Sequence, residues 1–204
     1  MIRIQGQHLH LRDLKADDLP AYAHWLRPEH EWQRLDGPYY SKPTPEQIPE
    51  IIDHLRQRID RGDQTPPPPP HAIIARRTDD VLLGKVNWYW ISQETRWPAA
   101  GIVIYDPALW RKGLGYEALG LWTQYLFEHM PEIARLDLRT WSGNAGMMRL
   151  AQKLGYQEEA RFRKARIVDG DYYDGLGYGI LREEWASRYP AGFAQALQQT
   201  DGES

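Results

Sequence analysis

The chain has 204 residues, of which 26% are charged, with a net charge of −3 and a mean hydropathy of −0.67. That is the profile of a water-soluble domain long enough to bury a full core. Without cysteine it carries no disulfide frame, thiol nucleophile or zinc finger, and its acidic balance argues against a dedicated nucleic-acid binder while suiting a cationic amine substrate. Met1 to Leu11 has no apolar stretch of signal-peptide length and nothing approaches a membrane span, so a cytoplasmic location is the default expectation. Nine Trp and twelve Tyr stand against three Phe; such amphipathic rings serve wet pockets and domain surfaces alike.

In chain order, His8 to Leu11 alternates as a first strand and Asp13 begins a turn. Ala16 to Leu26 predicts a short helix, entered through Asp17 and Asp18 and closed before Pro28. His30 to Lys42 is a loop rich in Trp32, Tyr39 and Tyr40. Thr44-Pro45-Glu46-Gln47 has the form of a cap, an N1 proline and an acidic first turn, opening a helix to about Arg61. Pro49 allows a later start. Gly62 to Pro70 is a polar turn with a five-proline run, read as a stiff spacer in preference to a ligand for a proline-recognising domain.

His71 to Arg77 and Val81 to Ile91 predict a hairpin around Thr78-Asp79-Asp80. Ala99 to Tyr105 is the next strand, stopped by Asp106 and by Pro107, which has no N–H for a ladder. The helix that follows places Ala118, Leu119, Trp122, Tyr125 and Leu126 on one face. From Ile133 to Trp141, Leu136, Leu138 and Thr140 alternate with Arg135, Asp137 and Arg139, marking a strand. Asn144 to Leu154 is a helix ended at Gly155. Glu158 to Val168 and Tyr172 to Arg182 are long strands turned by Asp169-Gly170. Glu183 to Gln199 is a helix broken near Pro190, and the last residues are expected to fray. The mixture predicts an α+β fold, a three-layer α/β/α sandwich.

Between the strand ending at Tyr105 and its helix lies R-K-G-L-G-Y, Arg111 to Tyr116. Unpaired N–H groups and the positive dipole end at a helix start favour an anion such as a phosphate. Gly113 and Gly115 lack a Cβ, so the backbone can curl and come close to it. A plain tight turn explains the same two glycines, and local sequence leaves both readings open. It is not a Walker-type loop, because no G-K-[ST] follows.

This run resembles the R/Q-x-x-G-x-G/A signature of the GNAT N-acetyltransferases, particularly the branch that acetylates ribosomal-protein N-termini. N-A-G-M-M-R-L-A-Q-K-L-G-Y at Asn144 to Tyr156 is similar to that branch's N-x-x-S-x-R-x-x-x-K-x-G-F block. E-A-R-F-R, D-G-D-Y-Y-D and G-I-L-R-E-E-W resemble its closing strands, and L-H-L-R-D-L-K-A-D-D-L its opening. The resemblance implies a sandwich of the GNAT type with a mixed, largely antiparallel central sheet and acetyl-CoA as donor. It implies one domain over 1–204, divided as 1–98 with the acceptor-side elements, 99–182 as the acetyl-CoA core and closing strands, and 183–204 as a C-terminal tail.

By the same resemblance, Arg111, Lys112, Gly113, Leu114, Gly115 and Tyr116 hold the pyrophosphate. Ile102, Val103 and Ile104 lie on a strand splayed from its neighbour, where the pantetheine pairs with the Ile102 and Ile104 backbone. Asn144 caps its helix and contacts that arm. An alkyl ammonium with a pKa near ~10.4 must lose a proton before attacking a thioester. The matching glutamate of G-Y-Q-E-E-A is Glu159, and the oxyanion donor is the N–H at about Ile104. Two departures stand out: Ala160 replaces a glycine, and Met147 replaces the serine proposed to protonate the thiolate. A thiolate with a pKa near ~8.5 can leave without an assigned acid.

The expected function is acetyl transfer to a primary amine of a protein N-terminus, a polyamine, an amino acid or an antibiotic. The Met147 departure suggests the alternative, a non-catalytic acyl-CoA-binding or regulatory module. No metal, nucleic acid or membrane partner is expected, and the chain is expected to be a monomer or homodimer. Other groupings have plainer readings: His8 and His10 as a strand-face pair and not metal ligands, and Arg161, Arg163, Lys164 and Arg166 as a solvated strand face. Glu159 has a salt bridge as its non-catalytic alternative. Trp88, Trp90, Trp97 and Trp141 fit either an acceptor pocket or the core.

Overall fold

The computed structural model of the protein describes residues 2–62 and 66–200. Eight strands form one sheet: β1 (Arg3–Gln5), β2 (Leu9–Arg12), β3 (His71–Arg76), β4 (Leu82–Ser92), β5 (Trp97–Ile104), β6 (Arg135–Trp141), β7 (Gln157–Val168) and β8 (Asp171–Leu181). Their order is β1-β2-β3-β4-β5-β6-β8-β7. Among these neighbours only β5 and β6 run parallel. A parallel pair needs a crossover, and helix α3 (Leu114–His129) supplies it.

Alternation along the strands sorts side chains to two faces. On one face, Leu9, Leu11, Ile74, Leu136, Leu138 and Tyr178 meet α3, α4 (Ala145–Leu154), α5 (Arg182–Arg188) and α6 (Phe193–Thr200). The predicted stripe of α3 is the centre of that core: Ala118, Leu119, Trp122 and Leu126 are buried completely, each leucine stabilising the fold by about 1.5–3 kcal/mol. On the other face, Ile73, Ala75, Leu82 and Tyr105 pack with Trp32 and with Tyr22 and Trp25 of α1 (Leu19–Trp25), against which α2 (Ile48–Asp60) lies. The sandwich has three layers, as expected.

The differences from expectation are local. β1 is an added edge strand, three residues long and too short to show a period. The helix after the Tyr39-Tyr40 loop takes the later start, with Pro49 at its second position; Thr44 N–H instead donates to the side chain of Gln47 at 2.9 Å. The helix from Ala16 begins as a 3-10 turn over Ala16–Asp18. Of the spacer over Gly62 to Pro70, residues 63–65 lie outside the described residues, as do 201–204 of the tail expected to fray. His8 and His10 do not act together. His8 Nδ1 meets Glu117 at 3.1 Å, and His10 Nε2 meets Asp80 at 2.7 Å.

Candidate active site

β5 and β6 share register only at Ala99↔Asp137 and Ala100↔Leu138, and beyond Ala100 they part. Which groups face the gap follows from the other side of β5. Tyr105 N–H donates to Leu83 C=O at 2.9 Å, in register with Gly84↔Ile104, Lys85↔Val103, Val86↔Ile102 and Asn87↔Gly101. Hydrogen-bonded pairs alternate in an antiparallel ladder. Val103 and Gly101 therefore turn their N–H and C=O to β4, and Ile102 and Ile104 turn theirs into the gap. The Ile104 carbonyl accepts the indole N–H of Trp110 at 2.9 Å. The Ile104 N–H and both polar groups of Ile102 offer an edge to which an extended amide chain can pair. Val103, expected beside them, presents only its side chain, on the Tyr105 face.

At the end of this gap α3 begins. Asp106 caps the turn Pro107–Leu109 by accepting from Ala108 N–H at 2.8 Å. Arg111 (φ +61°) and Gly113 (φ +83°) then turn through the left-handed region. The bond from Glu117 N–H to Gly113 C=O, at 3.0 Å, opens the helix, so the N–H groups of Leu114, Gly115 and Tyr116 have no carbonyl of their own turn to meet. A Cβ on Gly113 would enter open space, and one on Gly115 would meet only Leu150 Cδ2, at 3.5 Å. Backbone conformation explains Gly113. Neither conformation nor packing explains Gly115, which suits the close approach of a group from outside the chain.

Counted back from the two glycines, the first position of the R/Q-x-x-G-x-G/A pattern falls on Trp110, not on Arg111. Its indole closes the end of β5 instead of offering a charge. Arg111 and Lys112 are exposed beside the helix start. Tyr116 is half-buried under Lys153, whose Nζ lies 4.5 Å from the ring centroid. Burial and its 3.3 Å contact with the Tyr189 hydroxyl push its pKa well up. Glu117 is buried and fixes the first turn of α3 to the start of β2, accepting from His8 N–H at 2.9 Å and Leu9 N–H at 3.1 Å.

On the far side of the gap lies a cleft of about 250 Å³. Gly101 and Ile102 come to it from β5, Arg139, Thr140 and Trp141 from β6, and Asn144 and Met147 from the start of α4. Asn144 Oδ1 caps α4 by accepting from Met147 N–H at 3.0 Å, and Nδ2 donates to Leu35 C=O at 3.1 Å. Trp141 Nε1 donates to the same carbonyl at 3.0 Å. These bonds draw the loop over the cleft and set Tyr39 edge-on to Trp141. Of the four tryptophans singled out, Trp141 alone lines the cleft. Trp88 and Trp90 meet each other on the α3 face, and the Trp97 ring lies 5.5 and 5.4 Å from the Arg135 and Arg139 guanidiniums.

Glu159 lies in the bulge between Glu158 and Ala160, above Gly179, which is opposite Asp137. Its carboxylate is ion-paired with Arg135, and it stands by the Ala99↔Asp137 pair, next to the last pair that the strands share, and outside the cleft lining. Glu158 pairs with Arg161 and accepts from the Tyr178 hydroxyl at 3.1 Å. The basic run of β7 is not uniformly solvated: Arg161 pairs with Glu158 and Asp174, whereas Arg166 is half-buried, 4.7 Å over the ring of Tyr39. Phe162, within E-A-R-F-R, also lines the cleft, as do Tyr89, Arg139 and Arg166, which no family motif marks. The one available signal was alternation: Gly175, Gly177 and Gly179 recur every second residue, so one face of β8 is left bare beneath the arginines.

Residues 8–157 match the family model of the acetyltransferase (GNAT) domain. The SPbeta prophage-derived uncharacterized N-acetyltransferase YokL of Bacillus subtilis (strain 168) is 21% identical over 180 residues, spanning 88% of this chain and 93% of that protein. A GNAT-family acetyltransferase structure from Bacillus anthracis superposes with a TM-score of 0.70 at 20% identity, covering 90% of this chain and all of its own. RimL, the ribosomal L7/L12 alpha-N-protein acetyltransferase, was solved in complex with coenzyme A. It superposes at 0.66 with 17% identity, over 90% of this chain and 99% of its own. The structural likenesses speak for the fold, and the family model covers most of the chain, so the protein belongs to the GNAT family and is an acetyl-CoA-dependent N-acetyltransferase.

Proposed function

We propose that the protein binds acetyl-CoA along the β5 edge and transfers the acetyl group to a primary amine presented from the cleft under the Tyr39 loop. The observation that carries this reading is the alignment of three features along one line: the unpaired edge of Ile102 and Ile104, the open N–H groups of Leu114, Gly115 and Tyr116, and the cleft. A pantetheine amide suits the first and a pyrophosphate the second. Arg111 and Lys112 add cationic charge beside the phosphates, and Asn144 borders the arm. The structure of RimL with coenzyme A supports the same donor here. No helix of the described residues is long and apolar enough to cross a membrane; a cytoplasmic location and a single domain over 1–204 are part of the same proposal.

In the transfer, the neutral amine forms a bond to the thioester carbon, and negative charge gathers on the carbonyl oxygen. The Ile104 N–H is aimed into the gap to receive it. The C–S bond then breaks and the thiolate leaves, taking its proton from water, since Met147 in the cleft offers none. The amine's proton passes to Glu159 through water, because the Arg135 pairing and the position over Gly179 put direct contact out of reach.

Gly115→Val tests the donor site. Since a side chain there meets only Leu150 at ordinary distance, the variant should melt near the wild type yet lose measurable acetyl-CoA binding by calorimetry. Unchanged affinity would make the glycine turn a turn and nothing more.

A further inference from the structure

We infer that the amine acceptor carries a carboxylate next to its amine, on a small apolar or aromatic body, and that Arg139 and Arg166 recognise that carboxylate. This rests on the acetyl-transfer reading for the cleft and goes beyond it to the acceptor's chemical class.

The charged groups lining the cleft are two guanidiniums; among the described residues no Asp, Glu or His lines it. Arg139 is held by Asp137 Oδ2 at 3.2 Å and by the face of Trp97. It lies flat over Gly177, where any Cβ would come within 2.8 Å of Nη1. Arg166 stacks on Tyr39 and spends Nη1 on the Ala165 carbonyl at 2.8 Å. Its Nε is shielded from water and has no hydrogen-bond partner among the described residues. With Nη1 spent and Nε shielded, Nη2 is the donor that Arg166 can turn to a ligand, and a charge-assisted bond from a guanidinium to a carboxylate is among the strong ones. Gly175 lies beneath it, where a Cβ would meet Arg166 Cζ at ordinary contact distance, 3.5 Å.

Size and apolar lining narrow the class. A cleft of about 250 Å³ is below the range of about 300–1,000 Å³ typical of drug-sized ligands, so the part of the acceptor that enters it is about one amino acid in size. Phe162 and Tyr40 line it while remaining 57% and 64% exposed, apolar surface that a ligand's side chain would cover. The cationic lining also bears on the chemistry. A like charge nearby disfavours the ammonium form, so the two arginines favour the neutral amine that must attack. The same repulsion turns away polyamines, which carry no anion to repay it.

The test is calorimetry of N-acetyl-L-phenylalanine and N-acetyl-L-phenylalaninamide, matched product mimics without a titrating amine, on the folded protein with coenzyme A present. The carboxylate should bind about ten- to a hundredfold tighter than the amide. Arg166→Gln and Arg139→Gln should each shrink that ratio towards one, Arg166→Lys should retain part of it, and Arg163→Gln, a cation outside the cleft, should leave it intact. Equal binding of the two mimics, binding of neither, or a ratio that survives both cleft substitutions overturns the proposal. Acetyl transfer to phenylalanine and its amide is measured in parallel. Transfer to both alike sinks the carboxylate assignment and keeps the acetyl-transfer reading of the cleft. A binding preference without transfer to any amine does the reverse.

Discussion

Arg12 is a buried cation on a strand and Arg166 a half-buried one, and their surroundings are opposite. Arg12 has all five N–H donors answered inside the chain: by Asp18 at 2.6 and 2.9 Å, Asp80 Oδ1 at 2.7 Å, Asp80 C=O at 2.8 Å and Asp13 C=O at 3.0 Å. Asp80 in turn receives His10 and Lys15. Although desolvation opposes it, these hydrogen bonds hold the Asp80 carboxyl far below the usual carboxylate range. At the other end of the sheet, Arg166 keeps a buried Nε without a partner, the Ile102 edge faces a gap, and three N–H groups at the start of α3 look outward. Arg12, satisfied within the chain, secures the fold, whereas at the far end of the sheet donors are left over beside the cleft; buried atoms such as Tyr105 OH and Trp97 Nε1 also lack a partner without lining it. Hydrogen-bond completeness separates the two regions where charge does not.

The sharpest way to break the comparison is to remove Arg12. Asp18 is buried beside it, and deleting one partner of a buried pair costs about 3–5 kcal/mol. Arg12→Ala should therefore lower the unfolding free energy by that order in urea titrations, while the folded protein binds acetyl-CoA as before. Weaker acetyl-CoA binding at unchanged stability would reverse the roles of the two regions.

A smaller effect is expected at Glu159. Working through water, it should contribute at the lower end of general-base catalysis, about 10²-fold in rate, or about 2.7 kcal/mol. Glu159→Gln should lower turnover by that factor, spare acetyl-CoA affinity and remove the fall in rate on the acid side of the pH profile, where an ionised base would be protonated. Arg135→Gln breaks the same ion pair but keeps the carboxylate, so it should leave that acid limb in place, and Glu158→Gln should do little. If Glu159→Gln and Arg135→Gln give the same profile, the carboxylate serves the ion pair and the base is water held by the backbone.

Sequence made most of the frame legible because its signals are local. Alternation marked β2 and β6, turn and stop residues bounded β3 to β5 and β7 to β8, Gly155 ended α4, and Asn144 declared its cap. β1 escaped because three residues cannot establish a period. The start of α2 was ambiguous because Thr44-Pro45 has cap chemistry whichever way Pro49 is used, and only packing decides. The turn that opens α3 was readable from Gly113 and Gly115, since backbone needs leave a mark on residue type. The cleft lining was not. Arg139 and Arg166 look like any exposed strand cations until the sheet sets them over Gly177 and Gly175, and Tyr39 until Asn144 and Trp141 draw its loop across the cleft. Those relations join positions as near as Arg166 and Gly175 and as far as Tyr39 and Trp141, and beyond the alternate glycines of β8 no period in the chain records them.

Asn144 sits on the boundary between the two kinds of region, and it offers the finest test. Its Oδ1 caps α4 and its Nδ2 holds the Leu35 carbonyl, yet an amide has a second lone pair and a second N–H, enough to meet a pantetheine amide as well. Asn144→Ala loses the cap, which should cost about 1 kcal/mol of stability, and should weaken acetyl-CoA binding. Asn144→Asp separates the two roles. A carboxylate caps a helix as well as an amide does and is favoured by its dipole, so α4 should keep its stability. It cannot donate, however, either to Leu35 or to an incoming amide carbonyl. Trp141 still holds Leu35, so the loop should stay in place and any loss of affinity belongs to the missing N–H. Melting near the wild type with acetyl-CoA affinity reduced as in Asn144→Ala is the expected result. If Asn144→Asp binds acetyl-CoA like the wild type, the cap is the whole contribution of this residue, and it belongs with Arg12 among the groups that only hold the fold.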